Sequence, residues 1–547
     1  MEDKDLEYGL KREVANFILT EVNSSIQKYH LKYIKNIGYL LYYPLIVLEE
    51  HFASGIPGLV QAQRPAVSWF IKELMKLGYE KDMNFRYDEK EKKMFEKKYY
   101  ATIINLYNDY LSSEEVKAMN PLVSYLFKEI NSNQIEIIKP VLENKILEKS
   151  LYYHSRHDEE QRKREEEYSL RISSFLFKNY SPIPPSLVRV KKILGLLSEI
   201  DTALLQICIE RVSIDLEKLG GRVKSDSIRN LDHAKLVLGS LYYLSSVKHY
   251  AQGLNLDKNY FNLEYETLIQ KISNMNGIQK DIVERILSYL CLEHKYEGTI
   301  THFPIILYNN KAIFIPSSFM LNDWHFNLVN GHYHKKIKFS NRDKTISKSI
   351  VDGIINKAQQ YPNIIVSSER PYSFVDENSE PQQSDIDVTL FDKLSNTVLV
   401  LECKWIDNHF TSEEEVNQKL INTVNGIYKD QLSKHTKFLN LGLNSLKYIF
   451  QNHPFISSLA EPPKYYYVAV DKRSQIHFDD KHMITFYMML YMMDNFVENG
   501  FLNLMSLASE IESFKTKTVY FDIDIEDSKR FNLNGYNFIT EDFNLSY

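Results

Sequence analysis

The stretch Ser384–Trp405, SDIDVTLFDKLSNTVLVLECKW, constrains this chain more than any other. Two runs rich in aliphatic and β-branched residues, Ile386–Phe391 and Thr397–Trp405, flank a polar turn, Asp392–Asn396. Runs of this length, bounded by Asp, Asn and Ser, read as strands joined in a hairpin. Side chains on a strand alternate faces with period two, so Glu402 and Lys404 share one face and Cys403 points to the other. Pairing the runs brings Asp387, near the start of the first, to the same end, where two carboxylates and an ammonium converge. Like carboxylates held close disfavour joint ionisation, so the cluster is costly unless a cation is shared. Hard divalent cations prefer carboxylate oxygens, and Mg²⁺ often takes only one or two, leaving the rest to water and substrate phosphate.

The rest of the chain narrows what such a cluster can mean. It has 547 residues, 44% hydrophobic and 25% charged, enough apolar material for several cores of a soluble protein. The three cysteines, Cys208, Cys291 and Cys403, lie far apart with no CxxC pair, which argues against a zinc ribbon or a disulfide framework and points to a reducing cytoplasm. No GxxxxGK[ST] pattern offers an ATP-binding loop. The net charge of −6 means that nucleic-acid binding must come from a local patch. The charged N-terminus lacks a signal-peptide core, and the apolar runs Gly38–Leu48 and Met483–Met493 fall short of the roughly 20 residues of a spanning helix, so no membrane partner is expected.

In chain order, residues 1–180 read as helical, with apolar positions such as Val123, Leu126, Phe127 and Ile130 three and four apart. The run His157–Glu167 is dense in both charges and reads as a solvated helix face. Ser181–Ser186, SPIPPS, punctuates the chain. Helices are expected over Leu187–Leu219, ending at Gly220–Gly221, and across Asp226–Ala251 and Glu264–Glu293. Near residue 303 the texture changes: Pro304–Tyr308 and Lys311–Pro316 form a hairpin pattern around Asn309–Asn310. The strip His332–Lys348 carries Lys335, Lys336, Lys338, Arg342, Lys344 and Lys348 against Asp343, with Tyr333 and Phe339 interleaved. It reads either as a phosphate-contacting surface or as a plain basic loop. A helix, Thr345–Gln359, a strand, Asn363–Ser367, and a polar loop, Glu369–Gln383, precede the acidic hairpin. Helices over Ser412–Val424 and Ile427–Phe450, a strand at Tyr465–Asp471 and a strand or helix start at Met483–Met493 follow it. The expected fold is α/β, α+β overall: all-helical regions over 1–180 and 181–300, then a mixed-sheet domain over 301–547 with its core near 340–480.

Asp387, followed 15 positions later by Glu402-Cys403-Lys404 inside an apolar strand, resembles the PD-(D/E)XK, or restriction-endonuclease-like, nuclease superfamily. Ile386 stands where the name-giving motif has proline. The resemblance spans residues 340–480 and says nothing of the preceding 300. It implies a sheet flanked by helices, Mg²⁺ or Mn²⁺, and phosphodiester hydrolysis, with DNA ahead of RNA as substrate. It also implies roles: Asp387 and Glu402 hold the metal, aided by the carbonyl of Cys403, and Lys404 orients the attacking water. Gln431, in YKDQLSKH, resembles a glutamine that many subgroups place near metal and substrate. A large helical body on such a domain is common in bacterial antiphage or restriction systems, a fold-level analogy. It leaves a homo-oligomer or a separately encoded partner open. The alternative is a non-catalytic binding or scaffold protein with an idle nuclease fold. DxD alone decides little: Phe521–Ile525 mimics SDIDV with no ExK after it, and reads as an ordinary edge strand.

Overall fold

A computed structural model of the chain describes residues 2–33, 38–78, 85, 87–118, 122–144, 166–180, 187–217, 228–252, 260–296, 298–322, 324, 327, 328, 331, 335, 342–404, 413–472, 474–524 and 528–541. The charge run up to residue 165, the SPIPPS segment and Gly220–Gly221 lie outside the described residues. The architecture is α+β, and no described helix is long and apolar enough to cross a membrane.

Helix Gly38–Ala53 buries every residue from Gly38 to Glu49, the pattern of a helix surrounded by others. Helices Glu2–Tyr33, Pro57–Leu77 and Ala101–Glu115 pack around it, and aromatic rings fill the gaps: Tyr39 meets Tyr43 edge-on at 4.6 Å, and Tyr42 stacks on Phe85 at 4.2 Å. A second core gathers helices Thr202–Glu217, Leu231–Gln252, Tyr265–Asn276 and Lys280–Tyr289.

The N-terminal half is not all helical, a correction to the expectation. Leu126, Phe127 and Ile130 belong to a strand, β1 (Leu126–Asn131), paired with β2 (Gln134–Ile138) and followed by β3 (Val141–Asn144). A second sheet sits in the helical body: β4 (Phe261–Glu264), β5 (Cys291–Leu292), β6 (Ile305–Tyr308) and β7 (Lys311–Phe314), in the order β4-β7-β6-β5. The β6–β7 hairpin forms as its sequence predicts. Asn309 and Asn310 both take positive φ, 45° and 60°, which a two-residue hairpin turn requires and Asn tolerates. Strands on both sides of residue 301 thus share one sheet.

The third layer is a six-stranded mixed sheet in the order β12-β13-β11-β10-β9-β8. Its strands are β8 (Ile364–Val375), β9 (Pro381–Asp392), β10 (Thr397–Lys404), β11 (Lys464–Asp471), β12 (Ile476–Phe478) and β13 (Lys481–Thr485). The expected loop Glu369–Gln383 is mostly strand, because β8 and β9 pair from Arg370↔Ile386 out to Val375↔Pro381. The β9–β10 turn is built by Asp392, whose carboxylate accepts from Leu394 N at 2.9 Å and Ser395 Oγ at 2.6 Å, an Asx-type turn. On one face Leu399, Leu401 and Cys403 of β10 pack under helices Arg342–Ala358, Phe486–Asn495 and Leu504–Glu512. On the other, Val398 and Val400 meet helices Ser433–Leu439 and Leu443–Ile449. The crossover from β10 to parallel β11 contains helix Glu413–Gly426 and a π-helical turn, Ile427–Leu432.

After a short ribbon, β14 (Val497–Glu498) with β15 (Phe501–Leu502), the chain returns to its N-terminal part. β16 (Thr516–Val519) pairs with β3, and the hairpin β17 (Lys529–Leu533) and β18 (Tyr536–Thr540) joins the first sheet, β18 lying parallel to β2. This explains why residues 134–144 are extended: β2 and β3 find strand partners almost 400 residues away, and β1 pairs back on β2. The DxD mimic is irregular over 520–524 rather than a strand, and Asp522 pairs with Lys128 at 3.1 Å.

The helical body is held by close helix crossings. A methyl group at Gly239 would sit 2.8 Å from Ile209 Cα and 2.5 Å from its Cγ1. Gly239→Ala is therefore expected to destabilise: overpacking costs roughly 1–3 kcal/mol against a helix-propensity gain of about 1 kcal/mol. A thermal or urea midpoint at or above that of the parent would contradict the close crossing.

Candidate active site

The acids meet where a strand ladder stops. β9 and β10 pair from Asp392↔Thr397 to Val388↔Leu401, one residue short of Asp387 and Glu402. Instead of continuing the ladder, Cys403 N donates to Asp387 Oδ2 at 2.7 Å. The same point is irregular on the other side: Ser368↔Val388 and Arg370↔Ile386 pair, but Glu369, at φ 48°, and Asp387 do not. Val388 and Leu390 pack with one helical layer, whereas Ile386 packs with the other, so the alternation of β9 changes phase at Asp387. The sequence pattern brings these residues together as expected. The side chain of Cys403 is buried in the opposite layer, leaving only its backbone on the acid side.

Glu402 is only 2% exposed, and both of its oxygens are engaged. Lys404 Nζ lies 2.6 Å from Oε1 and His435 Nε2 3.0 Å from Oε2. The far nitrogen of His435, Nδ1, lies 2.6 Å from the hydroxyl of Tyr372, to which Ser384 also hydrogen-bonds. A carboxylate can only accept, so Nε2 carries the proton, and Nδ1 of the neutral ring can accept from the tyrosine. His435 is fully buried at the centre of this chain of contacts.

Charges follow from that burial. Desolvation, then the charge of Glu402, pushes Asp387 up to about 7, against the downward pull of the Cys403 N–H and Lys404. Burial pulls Lys404 down, but Glu402 and then Asp387 outweigh it and raise its pKa overall. Burial raises Tyr372 above its ordinary range. Asp385 is exposed and shares an open groove of about 650 Å³ with Glu369, Tyr372, Ser373 and Ser384.

Gln431 lies in the π-helical turn, half-buried and one turn before His435, so both project from one side of the helix. Asp352 is exposed on helix Arg342–Ala358, and Glu369 pairs with Lys348 at 3.5 Å. The basic strip is not borne out at Lys335. That side chain is buried in the helical body, with Nζ on the carbonyls of Ser288 (3.2 Å) and Cys291 (3.0 Å), on Glu293 (3.2 Å) and 4.7 Å from the Phe303 ring centroid. Three acceptors and an aromatic face consume its charge, so it presents nothing to a phosphate. Lys336 and Lys338 lie outside the described residues, as does the side chain of Arg342, whose backbone opens a helix.

His435 and Tyr372 were missed. His435 had a readable signal, since it stands four residues after Gln431 on a helix. Tyr372 had none, because its segment reads as a polar loop. Among the described residues no group of three or more His, Cys, Asp or Glu side chains forms a ready-made metal cage. No family model, curated protein or solved structure matches the chain.

The raised Asp387 has a stability consequence. From pH ~4 to ~7 the unfolded chain releases this proton while the folded chain keeps it, so stability falls as pH rises through that window and the full cost persists above it. Asp387→Asn, which keeps an acceptor for Cys403 N, is expected to stabilise the metal-free protein at pH 8 by on the order of 2–4 kcal/mol. The gain should fade toward pH 4 in thermal melts run in chelator, and a gain equal at both ends of the range would disprove the assignment.

Proposed function

We propose that this chain is a metal-dependent nuclease of the PD-(D/E)XK kind that hydrolyses phosphodiester bonds of DNA. One observation carries the reading: Asp387, Glu402 and Lys404 meet on one face at the end of a broken strand ladder, in a mixed sheet covered by helices on both faces. The donor set fits a hard divalent cation, because two convergent carboxylates suffice for Mg²⁺ or Mn²⁺ that keeps several waters. Asp387 and Glu402 would hold it. Such a cation, when bound, polarises phosphate and acidifies a water.

The chain's own residues supply the rest. Lys404 places an ammonium beside the carboxylates, where negative charge would build during phosphodiester cleavage. His435 and Tyr372 fix the orientation of Glu402 from behind, and the Cys403 N–H fixes one oxygen of Asp387. Gln431, on the same helix face as His435, would meet substrate. The likeness of the triad to DNA-cutting relatives favours DNA over RNA.

The test is plasmid cleavage with Mg²⁺ or Mn²⁺. Asp387→Ala and Lys404→Ala should each lower the rate at least about 100-fold, the usual scale for removing one preorganised charge. Equal cleavage by all three proteins would sink the site assignment. A second reading, a domain with the same site but no turnover, is favoured by two facts: both oxygens of Glu402 are already taken, and the adjoining groove carries Glu369 and Asp385. Calorimetric titration with Mn²⁺ separates the two. Binding that disappears in Glu402→Gln supports the nuclease, and no binding supports the idle domain.

A further inference from the structure

A pocket of about 370 Å³ opens in the helical body, between helices Leu231–Gln252 and Tyr265–Asn276 and the edge strand β4. Its lining combines two kinds of group. Lys248 and Lys271 bring positive charge, and Phe85, Tyr260 and Phe261 bring flat aromatic surface. Among the described residues β4 pairs only with β7, and its Asn262 and Leu263 border the pocket.

Lys271 is the telling residue. Its ammonium donates to the carbonyl of Leu197, and burial alone lowers its pKa. Among the described residues no carboxylate compensates it. A half-buried ammonium without a counter-charge is costly, and an anion in the pocket relieves that cost. Lys335 in the same body shows the contrast, since Glu293 sits 3.2 Å from its ammonium. The second lysine, Lys248, has its Nζ 5.4 Å from the centre of the Phe261 ring, so charge and aromatic face lie side by side. Tyr260 is held by Tyr42 at 5.2 Å and Phe85 at 6.0 Å, which fixes the aromatic wall. Rings and cations in a pocket of this size suit a ligand with a planar ring and a phosphate, within the roughly 300–1,000 Å³ common for small-molecule sites.

We propose that this pocket binds a small anionic ligand of the mononucleotide class, its phosphate on Lys248 and Lys271 and its base against the aromatic wall. The proposal stands apart from the reading of Asp387 and Glu402, because it uses no residue of that site.

The full-length protein titrated with AMP by calorimetry tests it. AMP should bind at least about tenfold more tightly than ribose 5-phosphate or inorganic phosphate, a difference of 1.4 kcal/mol or more. Lys248→Gln and Lys271→Gln should each weaken AMP at least about tenfold, with melting curves recorded to show that the variants fold. Lys248 does not bear the buried, uncompensated charge, so Lys248→Gln keeps the test decisive if Lys271→Gln fails to fold. Absent AMP binding, binding unchanged by Lys248→Gln, or phosphate binding as tightly as AMP would each overturn the proposal.

Discussion

The N–H of Cys403 chooses a carboxylate over a strand, and the geometry of the acidic face depends on that choice. Had the β9–β10 ladder run one residue further, Asp387 would have been an ordinary ladder residue opposite Glu402. Because its carboxylate takes the N–H at 2.7 Å, β9 leaves the ladder there, and the phase of its side chains changes. Beyond this point, among the described residues, β8 and β9 pair only with one another and run on as a two-stranded arm from Arg370 and Ile386 to Val375 and Pro381. The break therefore does two things at once: it sets two acids on one face, and it frees an arm that carries Tyr372 back to His435.

Burying those acids is unfavourable, so something must offset it. Val398, Leu399, Val400 and Leu401 are all 0% exposed, and full burial of such side chains stabilises by roughly 1.5–3 kcal/mol each. An imperfectly compensated buried ion costs several kcal/mol. The structure treats the two carboxylates differently. Glu402 receives a lysine and a histidine, whereas Asp387 receives one backbone N–H and is left with a pKa near 7. Two neighbouring carboxylates supported so unequally resemble a site waiting for a shared cation more than a finished structural ion pair.

The hairpin was legible because its signals are local. Apolar alternation, the Asp392–Asn396 turn and the two-residue spacing of Glu402 and Lys404 all act within about 20 residues, over which the sequence determines register. The Asn309–Asn310 turn was legible for the same reason. Residues 126–138 were not. Leu126, Phe127 and Ile130 fit a helical period as well as a strand; their strand pairs with β2, and β2 in turn is held on its other edge by β18, far along the chain. Tyr372 was hidden likewise, because its role depends on an arm that exists only once β8 and β9 pair. The strip at 332–348 failed at Lys335 for another reason: a count of positive charges does not say which of them face inward.

Three lysines make that last point physical. Lys404, Lys335 and Lys271 are all substantially withdrawn from water, yet burial leads to different states. At Lys404 two carboxylates overcome desolvation, and the ammonium is firmly charged beside the acids it serves. At Lys335 one carboxylate and two carbonyls hold the charge in place without fully offsetting burial, and its pKa falls. At Lys271 no charged group among the described residues answers, and its pKa also falls. The first arrangement belongs to an acidic face and the second to a packed core. The third is neither, since a core has no need of an uncompensated cation and a surface would hydrate it. Sequence counts these lysines equally. The difference lies in which neighbours the fold brings within a few ångströms.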